Sequence, residues 1–189
     1  MAATRGSMQL LLLLLPTVFL LVRPAAAGSP LMLACAKTPH PDVCTTVLSA
    51  NPESATADAR GRAEIAISAA SSIGAAAGTY ARGELDIVKD TDLWQCLDEC
   101  AQDIEEAVSH LDDSEGDLDA KFRDVRLFVD TAERDTWSCE ESCRAAPASA
   151  VKATMLHKND AFEKFMRVTA ALIQQATGAA APEPAPSSP

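Results

Sequence analysis

The sequence predicts an all-α protein: an antiparallel four-helix bundle with an N-terminal helical hairpin, stapled by disulfides. Three observations carry that expectation. Apolar residues recur at three- and four-residue steps through four long stretches, the signature of helices with one buried face. The 189 residues include only eight aromatics (Trp 2, Tyr 1, Phe 5), abundant alanine and no long β-branched runs, which favours closely packed helices over a sheet. Finally, Cys96 with Cys100 and Cys139 with Cys143 are each four residues apart, so each pair shares one helix face.

Laid antiparallel, the two cysteine-bearing helices match Cys100 to Cys139 and Cys96 to Cys143, because both matches share one midpoint, as a hairpin demands. Four thiols so placed make either a two-rung disulfide ladder or a four-thiolate zinc site. The redox compartment decides between them. Arg5, an apolar run from Leu10 to Val22 and then Ala25, Ala26, Ala27 and Gly28 read as a secretory signal peptide over residues 1–27. The run is too short to span a bilayer, and no second run of membrane length follows. All six cysteines lie beyond the leader, and an even number in an oxidising compartment favours three bridges over bound metal.

Residues 28–178 suit one domain with one core. The formal charge of −11 becomes −13 once Arg5 and Arg23 leave with the leader. Such acidity argues against nucleic-acid binding and suits a basic partner or plain solubility.

Taken in order, Leu31 to Cys44 is broken by Pro39 and Pro41, with Asp42 as a cap for a short helix carrying Val43, Val47 and Leu48. Cys35 and Cys44 then close a small helical hairpin as the third bridge. From Ser54 or Thr56 to about Ala81 runs an alanine-rich helix with Ala59, Ala63, Ile67, Ala70, Ile73 and Ala77 on its stripe. Gly61, Gly74 and Gly78 weaken it locally and let a neighbouring helix approach closely. A loop around Arg82, Gly83 and Glu84 leads to a cap at Asp90, Thr91 or Asp92. The next helix, to about Leu111, buries Leu93, Cys96, Leu97, Cys100, Ile104, Ala107, Val108 and Leu111. After an acidic turn at 112–117, a helix over roughly 119–144 carries Phe122, Val125, Val129, Ala132, Cys139 and Cys143. Pro147 ends it, and a last helix over about 149–177 stops at Gly178. The tail at 179–189, rich in Pro, Ala and Ser, cannot bury a core and reads as disordered.

Catalytic chemistry finds no foothold. His40, His110 and His157 share no local motif with a serine, cysteine or carboxylate, and full pairing leaves no activated thiolate. Glu105 with Glu106, and Asp112 with Asp113, are neighbours on a helix and point apart, which suits a solvated face better than an acid/base pair. No phosphate loop, zinc-protease motif or nucleophile elbow appears, and no cofactor is implied. A secreted binding protein is the better class.

The assembled residues resemble the plant invertase and pectin methylesterase inhibitor family. The likeness begins at Cys35-x-x-Thr38-x-x-Pro41-x-x-Cys44. It continues through Cys100-Ala101-Gln102-Asp103-Ile104-Glu105-Glu106-Ala107-Val108-Ser109-His110-Leu111 and Cys139-Glu140-Glu141 to His157-Lys158-Asn159 and the apolar stripe beyond. The resemblance implies that the family's four cysteines map to Cys35 with Cys44 and Cys100 with Cys139. Cys96 and Cys143 are then additions, whose positions make a second rung the natural reading and a disulfide-linked dimer the lesser one.

Membership implies a proteinaceous inhibitor docking one-to-one on a secreted carbohydrate-active enzyme, in the apoplast or the vacuole. Some invertase inhibitors of the family carry an Asp-Pro-Lys-Phe segment that enters the target's cleft; Asp119-Ala120-Lys121-Phe122 looks similar, with Ala120 in place of the proline. A lysine there can pair with the acidic groups of a glycosidase while the aromatic packs on the cleft wall. The bland alternative makes Lys121 a solvated helix-start residue and Phe122 core. The Trp-x-Ser-Ala-Ala-Leu-Thr-like segment frequent in pectin methylesterase inhibitors is poorly matched by Leu127-Phe128-Val129-Asp130-Thr131-Ala132, which tilts the expectation to invertase. In the pectin methylesterase alternative, the outer face of the middle helices, with Glu105, Asp130 and Glu133, meets a basic target. Two other classes fit less well: small intermembrane-space chaperones have closer cysteine pairs and no secretory signal, and a lipid carrier needs a tunnel of larger apolar residues. A chain that keeps the fold but acts only as a non-inhibitory apoplastic interaction protein remains a further alternative.

Overall fold

Proline opens both helices of the N-terminal hairpin. The computed structural model describes residues 28–112, 118–132 and 139–178. The leader, most of the acidic turn, residues 133–138 and the tail lie outside the described residues. Helix α1 spans Pro30–Cys35, with the Ser29 hydroxyl accepting from the Met32 amide. Helix α2 spans Pro41–Leu48. A proline at the first helical position sacrifices only an amide that would have no partner there. Asp42, expected as the cap of α2, instead lies in its first turn; His40 holds the cap position and makes no side-chain cap bond. The Cys35–Cys44 disulfide closes this hairpin.

Pro52–Ala55 forms a 3-10 turn, and the long alanine-rich helix α3 runs Ala59–Leu85. It starts later than the sequence suggested because Ser54 is buried, its hydroxyl directed to the Leu48 and Asn51 carbonyls at 2.6 and 2.7 Å. Asp58 is the cap, accepting from the Gly61 amide at 2.8 Å. The helix also runs on through Arg82–Glu84, expected as loop. Gly83 there faces open space, so nothing but propensity opposes the helix, and Arg82 is anchored to the next helix.

Helix α4 spans Thr91–Asp112, with the Asp90 carboxylate accepting from the Leu93 amide at 2.9 Å. The helix expected over 119–144 is described in two pieces, α5 at Leu118–Ala132 and α6 at Cys139–Ser142. Helix α7 spans Ala150–Thr177, capped by Ser149 and terminated by Gly178 at φ 68°. That left-handed conformation is cheap only for glycine.

The long helices form a ring in which α3 packs on α4 and α7, while α5 closes the opposite side against both. Pairings fix the directions. Ser71 meets Asp112 and Arg82 meets Asp98, so α3 and α4 are antiparallel. Tyr80 reaches the Val151 carbonyl, so α3 and α7 are antiparallel too. The core is small on one side and large on the other. Helix α3 contributes Ala63, Ala66, Ala70, Ala77 and Ala81, while α7 supplies Met155, Phe162, Phe165, Met166, Leu172 and Ile173. Each fully buried large side chain contributes on the order of 2 kcal/mol by area. No helix among the described residues is long and apolar enough to cross a membrane. The N-terminal hairpin lies at the C-terminal end of α7, where Gln175 donates to the Ala34 carbonyl at 3.2 Å.

Candidate functional site

The sulfur ladder fixes the hairpin on which the candidate site sits. Cys96–Cys143 and Cys100–Cys139 are both disulfides, with Cα–Cα distances of 4.4 and 4.7 Å, and the described residues contain no free cysteine. The zinc alternative requires thiolates, and these sulfurs are oxidised. Rung spacing of one turn matches the spacing within each pair, so the two bridges hold α6 against α4 in a single antiparallel register. The Gln95 amide first, and Ser142 of α6 second, hydrogen-bond to Glu99 on α4 and hold its carboxyl below its usual range.

At the far end of α4, the chain turns into α5, and here stand Asp119, Lys121 and Phe122. Asp119 is exposed in the first turn of α5, where a carboxylate complements the helix dipole. Lys121 is half-buried, and its ammonium donates to the Leu111 carbonyl at 2.6 Å. Leu111 belongs to the last turn of α4, whose carbonyls lack helical partners, so a lysine is a fitting cap. Phe122 is half-buried against the core. The three residues are therefore brought together at one corner of the bundle, with the carboxylate outward, the ammonium lying across the α4 terminus and the ring turned toward the core.

The acidic face of α4 is organised by Arg82, which the sequence reading placed in a loop. Its guanidinium donates to Glu105 at 2.9 and 2.7 Å and to Asp98 at 2.6 Å, joining α3 to α4. The Glu105 carboxyl is held below its usual range, first by the Arg82 hydrogen bond. Its signal in sequence is the acidic pair at Asp98 and Glu105, seven residues apart on one helix face. Glu105 is thus already engaged, while the side chain of Asp130 and all of Glu133 lie outside the described residues. On the other flank of α4, Asp103 is half-buried beside Glu99 and Glu106. Burial first, and those two carboxylates second, push it up to about 6.

Two open grooves beside the start of α3 gather no catalytic set: one is lined by Asn51, Glu53, Thr56 and Glu64, the other, against α2, by Val47, Leu48, Ile65 and Ile73. The arrangement offers surfaces and a rigid corner. A family model described as plant invertase/pectin methylesterase inhibitor matches residues 31–172. No curated protein sequence matches the chain at a significant level.

Proposed function

Because this chain belongs to the plant invertase/pectin methylesterase inhibitor family, we propose that it is a secreted inhibitor that docks one-to-one on a cell-wall or vacuolar invertase and blocks its active site. Proteins of this family are inhibitors of carbohydrate-active enzymes, and the target is the part proposed here. The observation that carries it is the corner built by Asp119, Lys121 and Phe122. The Lys121 ammonium is held by a neutral carbonyl. Exchanging that neutral acceptor for a carboxylate in a glycosidase cleft adds the attraction of opposite charges to a bond whose donor is already charged. The disulfide ladder keeps α4 rigid behind the corner, so little ordering entropy is lost on docking.

Pectin methylesterase is the second reading, favoured by the exposed carboxylates of Glu106 on α4 and Glu140 on α6 and by the formal charge, −11 for the full sequence and −13 without Arg5 and Arg23. An acidic face of this kind suits a basic enzyme surface. Residual activity of a purified acid invertase and, in parallel, of a pectin methylesterase, each with excess chain, separates the readings. Loss of invertase activity alone supports the first, loss of pectin methylesterase activity alone the second, and no loss of either the non-inhibitory alternative.

A further inference from the structure

The Cys100 sulfur lies 3.6 Å from the Cys143 sulfur, across the two rungs of the ladder. Neither atom carries a proton, so this is a nonbonded contact. The sulfurs of Cys96, Cys100 and Cys143 all lie within 4.8 Å of one another, and all three residues are buried. Each rung therefore keeps a sulfur of the other within contact distance. Thiol–disulfide exchange requires a thiolate at a disulfide sulfur, and here the reactants are already placed.

We propose that the ladder is a redox device with two sulfur pairings. When the Cys96–Cys143 rung is opened, the Cys143 thiolate attacks Cys100 Sγ, a Cys100–Cys143 bond forms, and the Cys100–Cys139 bond breaks with Cys139 leaving as thiolate. One S–S bond replaces another, so the exchange is redox-neutral; the proton that Cys143 gives up is matched by the one Cys139 takes. The initial opening consumes two electrons and two protons from a dithiol reductant, which leaves as its own disulfide.

The exchange has a mechanical consequence. In the native ladder Cys143 is bonded to Cys96; bonding to Cys100 instead closes the 3.6 Å sulfur–sulfur gap and draws Cys143 toward the next turn of α4. Helix α6 is only four residues long, and residues 143–149 separate it from the α7 helix, so the change is confined to this short segment. The Cys35–Cys44 bridge stands outside the sulfur cluster and keeps its pairing. Redox history would then set which sulfur of α6 is tied to Cys100 on α4.

The test is disulfide mapping of the full chain carrying Cys96→Ser, which leaves Cys143 as a thiol beside the Cys100–Cys139 bond. After incubation at mildly alkaline pH, trapping with N-ethylmaleimide in denaturant and proteolysis, mass spectrometry reads which cysteines are linked. The expected result is a Cys100–Cys143 peptide pair, with matching alkylation of Cys139 and an unchanged Cys35–Cys44 pair. Cys143 fully alkylated and Cys100 found only with Cys139 overturns the proposal. Should that variant fail to fold, the wild-type chain treated with about one equivalent of dithiothreitol decides the matter. Trapped species that include Cys100–Cys143 support the device, and native pairs alone overturn it.

Discussion

A Cβ built on Gly74 of α3 would lie 2.5 Å from the Cγ2 of Val108 on α4, and the ring of Phe162 on α7 closes the same space at 2.8 Å. Gly74 is thus a point where α3, α4 and α7 meet closely. Gly74→Ala gains about 1 kcal/mol of helix propensity and forces the buried Phe162 and the partly buried Val108 aside, so we expect a net loss of about 1 to 3 kcal/mol. Gly83, on the same helix, meets nothing within 4 Å. Gly83→Ala should stabilise by about 0.5 to 1 kcal/mol. Urea unfolding of the two variants should move the midpoint in opposite directions; equal shifts would contradict the packing described.

The two rungs should be strongly non-additive. Either rung alone closes a loop with a sequence separation of 39 or 47, worth about 4 kcal/mol in the chain-entropy model. Once one is present, the other closes a ring of only about nine residues and adds about 2.5 kcal/mol. Removing one rung as a double serine variant should therefore cost less than removing the second afterwards. Reductant should lower the melting temperature by on the order of 10 °C, and an unchanged value would refute this.

Arg82 and Glu105 should couple in a double-mutant cycle by about 0.5 to 1 kcal/mol, a modest value because both side chains are partly exposed. The Glu105 carboxyl titrates below its usual range in the folded chain, so this contribution is present above the unfolded value near 4.3 and is lost as pH falls through the folded one. The coupling should be measurable at pH 7 and absent in strong acid.

Asp103 runs the other way. Its folded value of about 6 is above the ordinary 3.8, so the folded chain keeps a proton that the unfolded chain has released. Stability from this group therefore falls as pH rises from about 4 to about 6, by about 1 kcal/mol after allowing for partial exposure. Asp103→Asn should raise the melting temperature at pH 7 and leave it unchanged near pH 4.

The fold was legible because three signals agreed: the 3.6-residue stripe, the paired i,i+4 cysteines and the capping residues Ser149 and Gly178. Local signals failed where tertiary contacts took precedence. Ser54 reads as a helix cap, yet its hydroxyl is drawn inward to Leu48; Arg82-Gly83-Glu84 reads as a turn, yet the Arg82 ion pairs keep it helical. The corner at Asp119, Lys121 and Phe122 could be located from a motif but not described from one. That Lys121 spans to the Leu111 carbonyl depends on how α4 meets α5, and no spacing rule encodes it.

Lys121→Met keeps the aliphatic stem and removes the donor, so the α4 terminus should lose about 1 kcal/mol. Inhibition of an invertase should weaken by tenfold or more, on the order of 1.4 kcal/mol or above. Phe122→Leu tests the ring with less damage to the core than alanine would cause. Equal inhibition by wild type and both variants would remove this corner from the docking surface.

The most direct measurement is a titration of a purified acid invertase with the oxidised chain at enzyme concentrations well above the dissociation constant. Activity should fall linearly and reach its floor at about one equivalent, as one-to-one active-site blockade requires, with pectin methylesterase unaffected in parallel. Full invertase activity in the presence of excess chain would contradict the account.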